Sequence, residues 1–248
     1  MTYLSTALVA LALKVHYSRG TAAGLAWILQ PTAAVVGWLT HQLLVLDGVR
    51  GWVASDGSFV IAPACAGVNF LIVAFAVSVV AFTPRFDAPS KRCAWLVSSL
   101  CAAYVSTILV NSLRIATAVA LYGAEVHTSW FTVERVHRLA GTSVYLAGLW
   151  MVRLAADALS AWAQDVPVSS RWARVLVPGV YLGMTVLVPL CNGAWRQFGA
   201  QYVEHAISVS LIALGGARLL SIVRWATSWS AVTRKWQHGQ TDNSRGRR

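Results

Sequence analysis

The sequence predicts an all-α, polytopic integral membrane protein, a helical bundle of about seven transmembrane helices. Hydrophobic residues make up 57% of the 248 residues, charged residues only 12%, and the mean hydropathy is +0.59. Soluble domains carry about 25% charged residues, so this chain has too few charges to cover a soluble globular surface. Apolar runs of the length needed to cross a bilayer recur along the chain.

The apolar runs give the helices in order. The first run is the shortest, and six longer runs of about the ~20 residues that a span requires come after it. They cover 2–17, 21–46, 59–82, 93–123, 139–159, 174–195 and 202–225. We therefore expect one transmembrane domain over 1–230, with its core of polar residues at about 59–150. The polar, basic segment 231–248 predicts a disordered cytoplasmic tail.

Loop charge predicts the orientation of the bundle. The loop 83–92 carries Arg85, Lys91 and Arg92, and lysine and arginine accumulate in cytoplasmic loops. With this loop in the cytoplasm and the helices alternating, fifteen of the 20 lysine and arginine residues lie inside. The N-terminus is then outside and the C-terminus inside. The net charge of +11 is interpreted as contact with anionic membrane lipids, and nucleic acid is not expected as a partner.

Polar residues converge first at the outer start of the third predicted helix, in PACAGVNF. Pro63 suits a first helical turn, which would place Cys65 near the positive end of the helix dipole, where a thiolate is favoured. Gly67 permits close backbone approach, and Asn69 follows Cys65 by one turn. A small buried cysteine is the competing interpretation.

The second and third places lie in the same predicted leaflet. Arg114 lies in the outer half of the fourth helix, and Asn111 precedes it by three residues on the same face. His137 opens the fifth helix one turn before Gly141, and histidine titrates near physiological pH. Each residue alone also has a structural interpretation: Arg114 could bind backbone or lipid phosphate, and His137 could simply face water.

Together, the three places predict covalent acyl transfer. A thiol beside a base, with a fixed cation nearby, can form and break an acyl intermediate. In this hypothesis Cys65 attacks a carbonyl, Arg114 stabilises the oxyanion or the thiolate, and His137 transfers protons. Asn69, Asn111, Gly67 and Gly141 support the site or bind substrate. The four cysteines show no metal-ligand spacing, so no zinc site is expected.

These motifs resemble those of the exosortase/archaeosortase family of membrane cysteine transpeptidases. The resemblance rests on PACAGVNF around Cys65, NSLRI around Arg114 and HRLAG from His137, and covers roughly 59–150. Many family members have serine where this chain has Ala66. The subtype is left unassigned, with a K-like subtype considered.

The resemblance implies a substrate, an acceptor and a location. The substrates would be exported proteins with a C-terminal tail of a short motif such as Pro-Glu-Pro, one transmembrane helix and a basic cluster. The enzyme, an endopeptidase or transpeptidase of the bacterial inner membrane, would cleave near the motif at the exterior face. The substrate would form a thioester on Cys65 and would then be transferred to an amine acceptor, a lipid or another envelope component. No metal or organic cofactor would be needed, and transfer and hydrolysis both stay open.

Two other classes of function fit parts of the same pattern. A transporter of small solutes or anions would use Arg114 with Asn69 and Asn111, although no inverted repeat is evident. A non-catalytic assembly factor would tolerate substitution of all three reactive residues. A metalloprotease using His127, Glu134 and His137 is disfavoured because these residues lack HExxH spacing, and no serine-protease elbow is present.

Overall fold

The computed structural model describes residues 1–124, 132–164, 171–191, 193, 195–196, 198–216 and 218. These residues form a mostly helical protein, as predicted, together with a small antiparallel sheet that the all-α prediction missed. The principal helices are α1 Thr2–Ser18, α2 Ala26–Thr40, α3 Val68–Phe82, α4 Pro89–Gly123, α5 Val133–Gln164, α6 Arg171–Leu182, α7 Val188–Cys191 and α8 198–216. The tail 231–248 lies outside the described residues.

Three of the described helical segments are long and apolar enough to cross a membrane. They are Pro63–Arg85, Pro89–Gly123 and Arg135–Ala161. Near the C-terminus, the predicted span 174–195 is divided: α6 ends at Leu182, a π-helical turn covers Gly183–Leu187, and α7 follows. The helical run from α6 to α7 is continuous through that turn, and the number of spans stays a prediction.

The sheet replaces parts of two predicted helices. Strands β1 Leu44–Asp47, β2 Gly51–Ala54 and β3 Val60–Ile61 pair antiparallel in that order, with Leu44 opposite Ala54 and Trp52 opposite Ile61. The predicted helix 21–46 is therefore wrong beyond Thr40, and the predicted helix 59–82 is wrong before Val68. Both errors arise because a short apolar strand raises the average hydropathy of a sequence window as much as a helical turn does.

Turn chemistry closes the first hairpin. The Asp47 carboxylate accepts hydrogen bonds from the backbone N–H groups of Val49 and Arg50, each at 2.9 Å. Asx turns of this kind favour a tight reversal. These backbone bonds, with the bond from the Arg50 side chain, lower the pKa of Asp47 to about 2.

Helix α3 is the centre of the bundle. Eleven of its 15 residues are buried, and it contacts α1, α4, α5 and α6. Its aromatic and branched side chains, among them Phe70, Phe75 and Val77, pack into an apolar cluster with Leu149 of α5. A second cluster joins α2, β3 and the start of α3, and Cys65 packs against it. The cysteine therefore lies where the central helix meets the sheet.

The predicted direction of α1 is wrong. The Lys14 ammonium donates a hydrogen bond to Asn69 Oδ1 at 2.9 Å, and the Tyr17 hydroxyl donates to the Ala64 carbonyl at 3.1 Å. The C-terminal end of α1 therefore lies beside the beginning of α3, whereas the alternating topology placed Lys14 and Asn69 on opposite sides. The N-terminus lies at the far end of α1, so it is not on the side of Cys65. Lys14 was counted among the cytoplasmic charges, but it bonds to Asn69 at the beginning of α3.

A second predicted loop charge is also part of the packed structure. Arg85, in the turn after α3, is paired with Asp157 of α5 at 2.7 Å and retains only 9% side-chain exposure. Arg153 approaches the other oxygen of Asp157 at 3.9 Å and is 3% exposed. This cluster joins the end of α3 to α5 at the end of the bundle opposite Cys65.

Candidate active site

The backbone around Cys65 forms a short turn rather than the first turn of α3. Pro63 begins a 3-10 helix that ends at Cys65, and the Cys65 N–H donates to the Ala62 carbonyl at 2.8 Å. Gly67 then adopts a left-handed conformation, with φ of 73°, and α3 begins at Val68. The expected position of Cys65 inside the first turn of the long helix is wrong because Gly67 separates the two helices. The Cys65 thiol is partly exposed and unpaired.

Gly67 also permits a close approach between this turn and α4. A Cβ atom at Gly67 would lie 2.9 Å from Cγ and 3.0 Å from Nδ2 of Asn111. These separations are shorter than van der Waals contact allows. Glycine is therefore required here both for its positive φ and for its missing side chain. Ala66 is fully buried in the apolar cluster.

Asn111 connects the cysteine turn to two other helices. Its side chain is fully buried, and its Nδ2 donates to the Cys65 carbonyl at 2.6 Å. Its Oδ1 accepts from Arg114 Nε at 3.1 Å and from the Tyr145 hydroxyl at 2.7 Å. The partners fix the orientation of the amide, since a carbonyl can only accept and a guanidinium can only donate.

Arg114 is held over an aromatic ring of α5. Its guanidinium lies 5.2 Å from the centre of the Tyr145 ring, and that ring stacks on Phe70 of α3 at 5.1 Å. The aliphatic part of Arg114 passes Gly141, where a Cβ would lie 3.6 Å from Cδ of the arginine. The Nε of Arg114 donates to Asn111, and the terminal nitrogens of its guanidinium are further donors for a bound molecule.

His137 lies one turn from Gly141 toward the beginning of α5 and is exposed. The positive charge of Arg114 acts on its ring, so the two groups are within electrostatic range. Within the described part of the chain, no hydrogen bond joins His137 to Cys65. The structure therefore places Cys65, Asn111 and Arg114 in one connected group, with His137 at its edge.

Asn69 does not belong to that group. Its side chain is exposed and hydrogen-bonded to Lys14 of α1, although Asn69 follows Cys65 by only four residues. Among the candidates of the metalloprotease hypothesis, His127 and the side chain of Glu134 lie outside the described residues. Over the described ranges, no group of three His, Cys, Asp or Glu residues could hold a metal ion.

Two tyrosines of the site were missed by the sequence analysis. Tyr145 follows His137 and Gly141 at intervals of four residues, so helical spacing alone would have placed it on their face of α5. Tyr17 is within electrostatic range of both Cys65 and Arg114, and its hydroxyl binds the Ala64 carbonyl. No sequence signal identified Tyr17, because its role depends on the direction of α1.

The arrangement brings a nucleophile close to hydrogen-bond donors. A partly exposed thiol, a buried amide and a guanidinium lie between α3, α4 and α5. Buried side-chain networks of this kind hold a site in one geometry. The fold and this site define a class, a helical membrane protein with a cysteine site built at the end of its central helix.

The particular family follows from comparison with known proteins. The chain matches the family model described as Transmembrane exosortase over residues 3–154, more than half of its length, and it belongs to that family. The family is one of membrane cysteine peptidases and transpeptidases, so the chain has that general kind of function. Comparisons with curated proteins and with solved structures found no match.

Proposed function

We propose that Cys65 is the nucleophile of a membrane-embedded transpeptidase that processes C-terminal sorting signals. The observation that carries the proposal is the bond from Asn111 Nδ2 to the Cys65 carbonyl, with Arg114 on the same amide. The Asn111 amide therefore holds the cysteine turn and the Arg114 guanidinium in a fixed position relative to each other. Membership in the exosortase family supports the same chemistry.

The reaction proceeds in two steps, formation of a thioester on Cys65 and its resolution by an acceptor. The Cys65 thiolate attacks the carbonyl carbon of the scissile peptide bond, and the terminal nitrogens of Arg114 donate to the developing oxyanion. The carbon–nitrogen bond then breaks, a thioester forms, and His137, which took up the proton when the Cys65 thiol became a thiolate, protonates the leaving amine. In the second step an acceptor amine attacks the thioester, His137 takes its proton, and the thiolate leaves. Water in place of the amine gives hydrolysis.

The proposed substrates are exported proteins with a tail of motif, apolar helix and basic cluster. The tail helix docks on the bundle, so that the peptide bond before it arrives at the depth of Cys65. The acceptor is an amine of a lipid or of another envelope component. The protein lies in the bacterial inner membrane, and the site opens to the exterior.

The proposed topology follows from the loop charges combined with the contacts of α1. The segment 83–92 is cytoplasmic, and α3 runs from the exterior to the cytoplasm. Because the C-terminal end of α1 lies beside the beginning of α3, the N-terminus is cytoplasmic too. Reporter fusions at residue 1 and within 83–92 are expected to report the same side. Opposite sides would contradict the proposal.

Paired cysteine variants test the catalytic role. Cys65→Ala is expected to abolish release of the tail from a tagged substrate in cells while the protein still inserts at its normal level. Cys101→Ala is the matched control, since Cys101 is an exposed thiol of α4 and no catalytic role is proposed for it. Normal processing by Cys65→Ala would refute the proposal, and loss of solute uptake only in Arg114→Ala would favour a transporter.

A further inference from the structure

A cavity with charged side chains in its lining lies between α5 and α8, on a face of α5 beside the one that carries His137. Its volume is about 250 Å³. The lining includes Arg135, Arg138 and Thr142 of α5 and Glu204, His205 and Ser208 of α8. The cysteine site uses neither α8 nor these residues of α5.

The charges in this cavity are unevenly paired. Both oxygens of Glu204 accept from Arg135, at 2.7 and 3.1 Å. Arg138 approaches the same carboxylate only to 3.6 Å, which is beyond hydrogen-bond distance. His205 lies within electrostatic range of Arg138. Arg138 thus lines the cavity as an ion-pair partner of Glu204 that makes no hydrogen bond to it, because both carboxylate oxygens already accept from Arg135.

The position of the cavity indicates which anion it meets. Arg135 is the first residue of the apolar segment Arg135–Ala161, and the lining of α5 spans two turns from there. Guanidinium groups at the end of a span lie at the depth of lipid headgroups. A phosphodiester presents oxygens that match the planar fork of arginine, and hydroxyls such as that of Ser208 add donors.

We infer that this cavity binds the phosphodiester group of a membrane phospholipid, with Arg138 as the principal charged contact. The phosphodiester carries a single negative charge, which complements Arg138, the arginine that makes no hydrogen bond to Glu204. The inference does not depend on the cysteine chemistry, so Cys65→Ala is expected to bind the lipid like the unmodified protein.

Lipid binding by the purified full chain tests the inference. Phosphatidylglycerol is titrated into the protein in a neutral sugar detergent, and bound lipid is counted by native mass spectrometry. Arg138→Gln is expected to weaken binding roughly tenfold or more, since a hydrogen bond to a charged group is lost. Glu204→Gln is expected to strengthen binding, because it removes a negative charge that repels the phosphate and competes for Arg135.

A matched control and two soluble probes complete the experiment. Arg196 is exposed and packs on Trp195 outside the cavity lining, so Arg196→Gln is expected to bind like the unmodified protein. Equal loss in Arg196→Gln, or unchanged binding in Arg138→Gln, would overturn the inference. It would also be overturned if inorganic phosphate or a triglutamate peptide bound in an Arg138-dependent way while phosphatidylglycerol did not.

Discussion

Replacing Asn111 tests the group that holds the cysteine turn. Asn111→Ala removes three hydrogen bonds and leaves the Cys65 carbonyl and the Tyr145 hydroxyl without their partner. Side-chain hydrogen bonds between membrane helices contribute about 0.6 kcal/mol on average and at most about 1.7 kcal/mol. Two of the three bonds join α4 to other segments, so the free energy of unfolding is expected to fall by roughly 1–3 kcal/mol.

The neighbouring residue provides the control. Ser112 is also fully buried, but its hydroxyl makes a single bond of 3.3 Å to the Thr32 carbonyl of α2 and does not touch the cysteine turn. Ser112→Ala is expected to cost about 0.6 kcal/mol. Unfolding is followed in mixed micelles of increasing denaturing detergent, in a background where Cys93, Cys101 and Cys191 are replaced by serine.

The same samples report the geometry of the turn. In folded Asn111→Ala the rate at which a maleimide labels Cys65 is expected to rise, because the turn loses its attachment to α4. In Ser112→Ala that rate is expected to stay unchanged. Equal losses of stability in the two variants, together with equal labelling rates, would refute the proposed role of Asn111.

Further predictions concern the glycine, the ion cluster and the hairpin. Gly67→Ala is expected to lower the free energy of unfolding by more than the ~1–2 kcal/mol that a left-handed alanine costs. Gly57→Ala is the control and is expected to lose only that amount, because Gly57 has a φ of 72° with open space around it. Equal losses in the two variants would contradict the clash with Asn111. Asp157→Asn is expected to lower the thermal midpoint, at a cost of about 3 kcal/mol, whereas substitution of exposed Asp87 is expected to be neutral. The Asp47 carboxyl is expected to show a pKa near 2 by NMR. Ionised Asp47 then stabilises the turn above pH 3.8, and this stability is lost as the pH falls toward 2. A measured pKa near 3.8 would contradict the turn geometry.

The sequence predicted the cysteine region and its neighbours from local patterns. Asn111 and Arg114 share a helical face at a spacing of three, and the structure joins them by a hydrogen bond. Gly67 was singled out for close backbone approach, and Asn111 occupies the space that its side chain would need. Such relations depend on residues close in sequence or on a single glycine, which is why they can be predicted without a structure.

The sheet and the direction of α1 could not be predicted in the same way. Hydropathy averaged over a window does not separate a short strand from a helical turn, although Asp47-Gly48 and Asp56-Gly57 are typical hairpin dipeptides. The direction of α1 was assigned by alternating the helices from the charged loop 83–92, which placed Lys14 and Arg19 in the cytoplasm. Lys14 instead bonds to Asn69 across 55 residues of sequence, a contact that loop charge does not encode.

The reactive residue itself offers the most direct measurement. The purified protein is mixed with a tagged substrate whose C-terminal tail is intact, quenched in acid, and digested for mass spectrometry. The account predicts a substrate-derived acyl group on the peptide containing Cys65, removed by hydroxylamine and missing from Cys65→Ala. Tail cleavage with no acyl group on Cys65, or with the group on another cysteine, would contradict it.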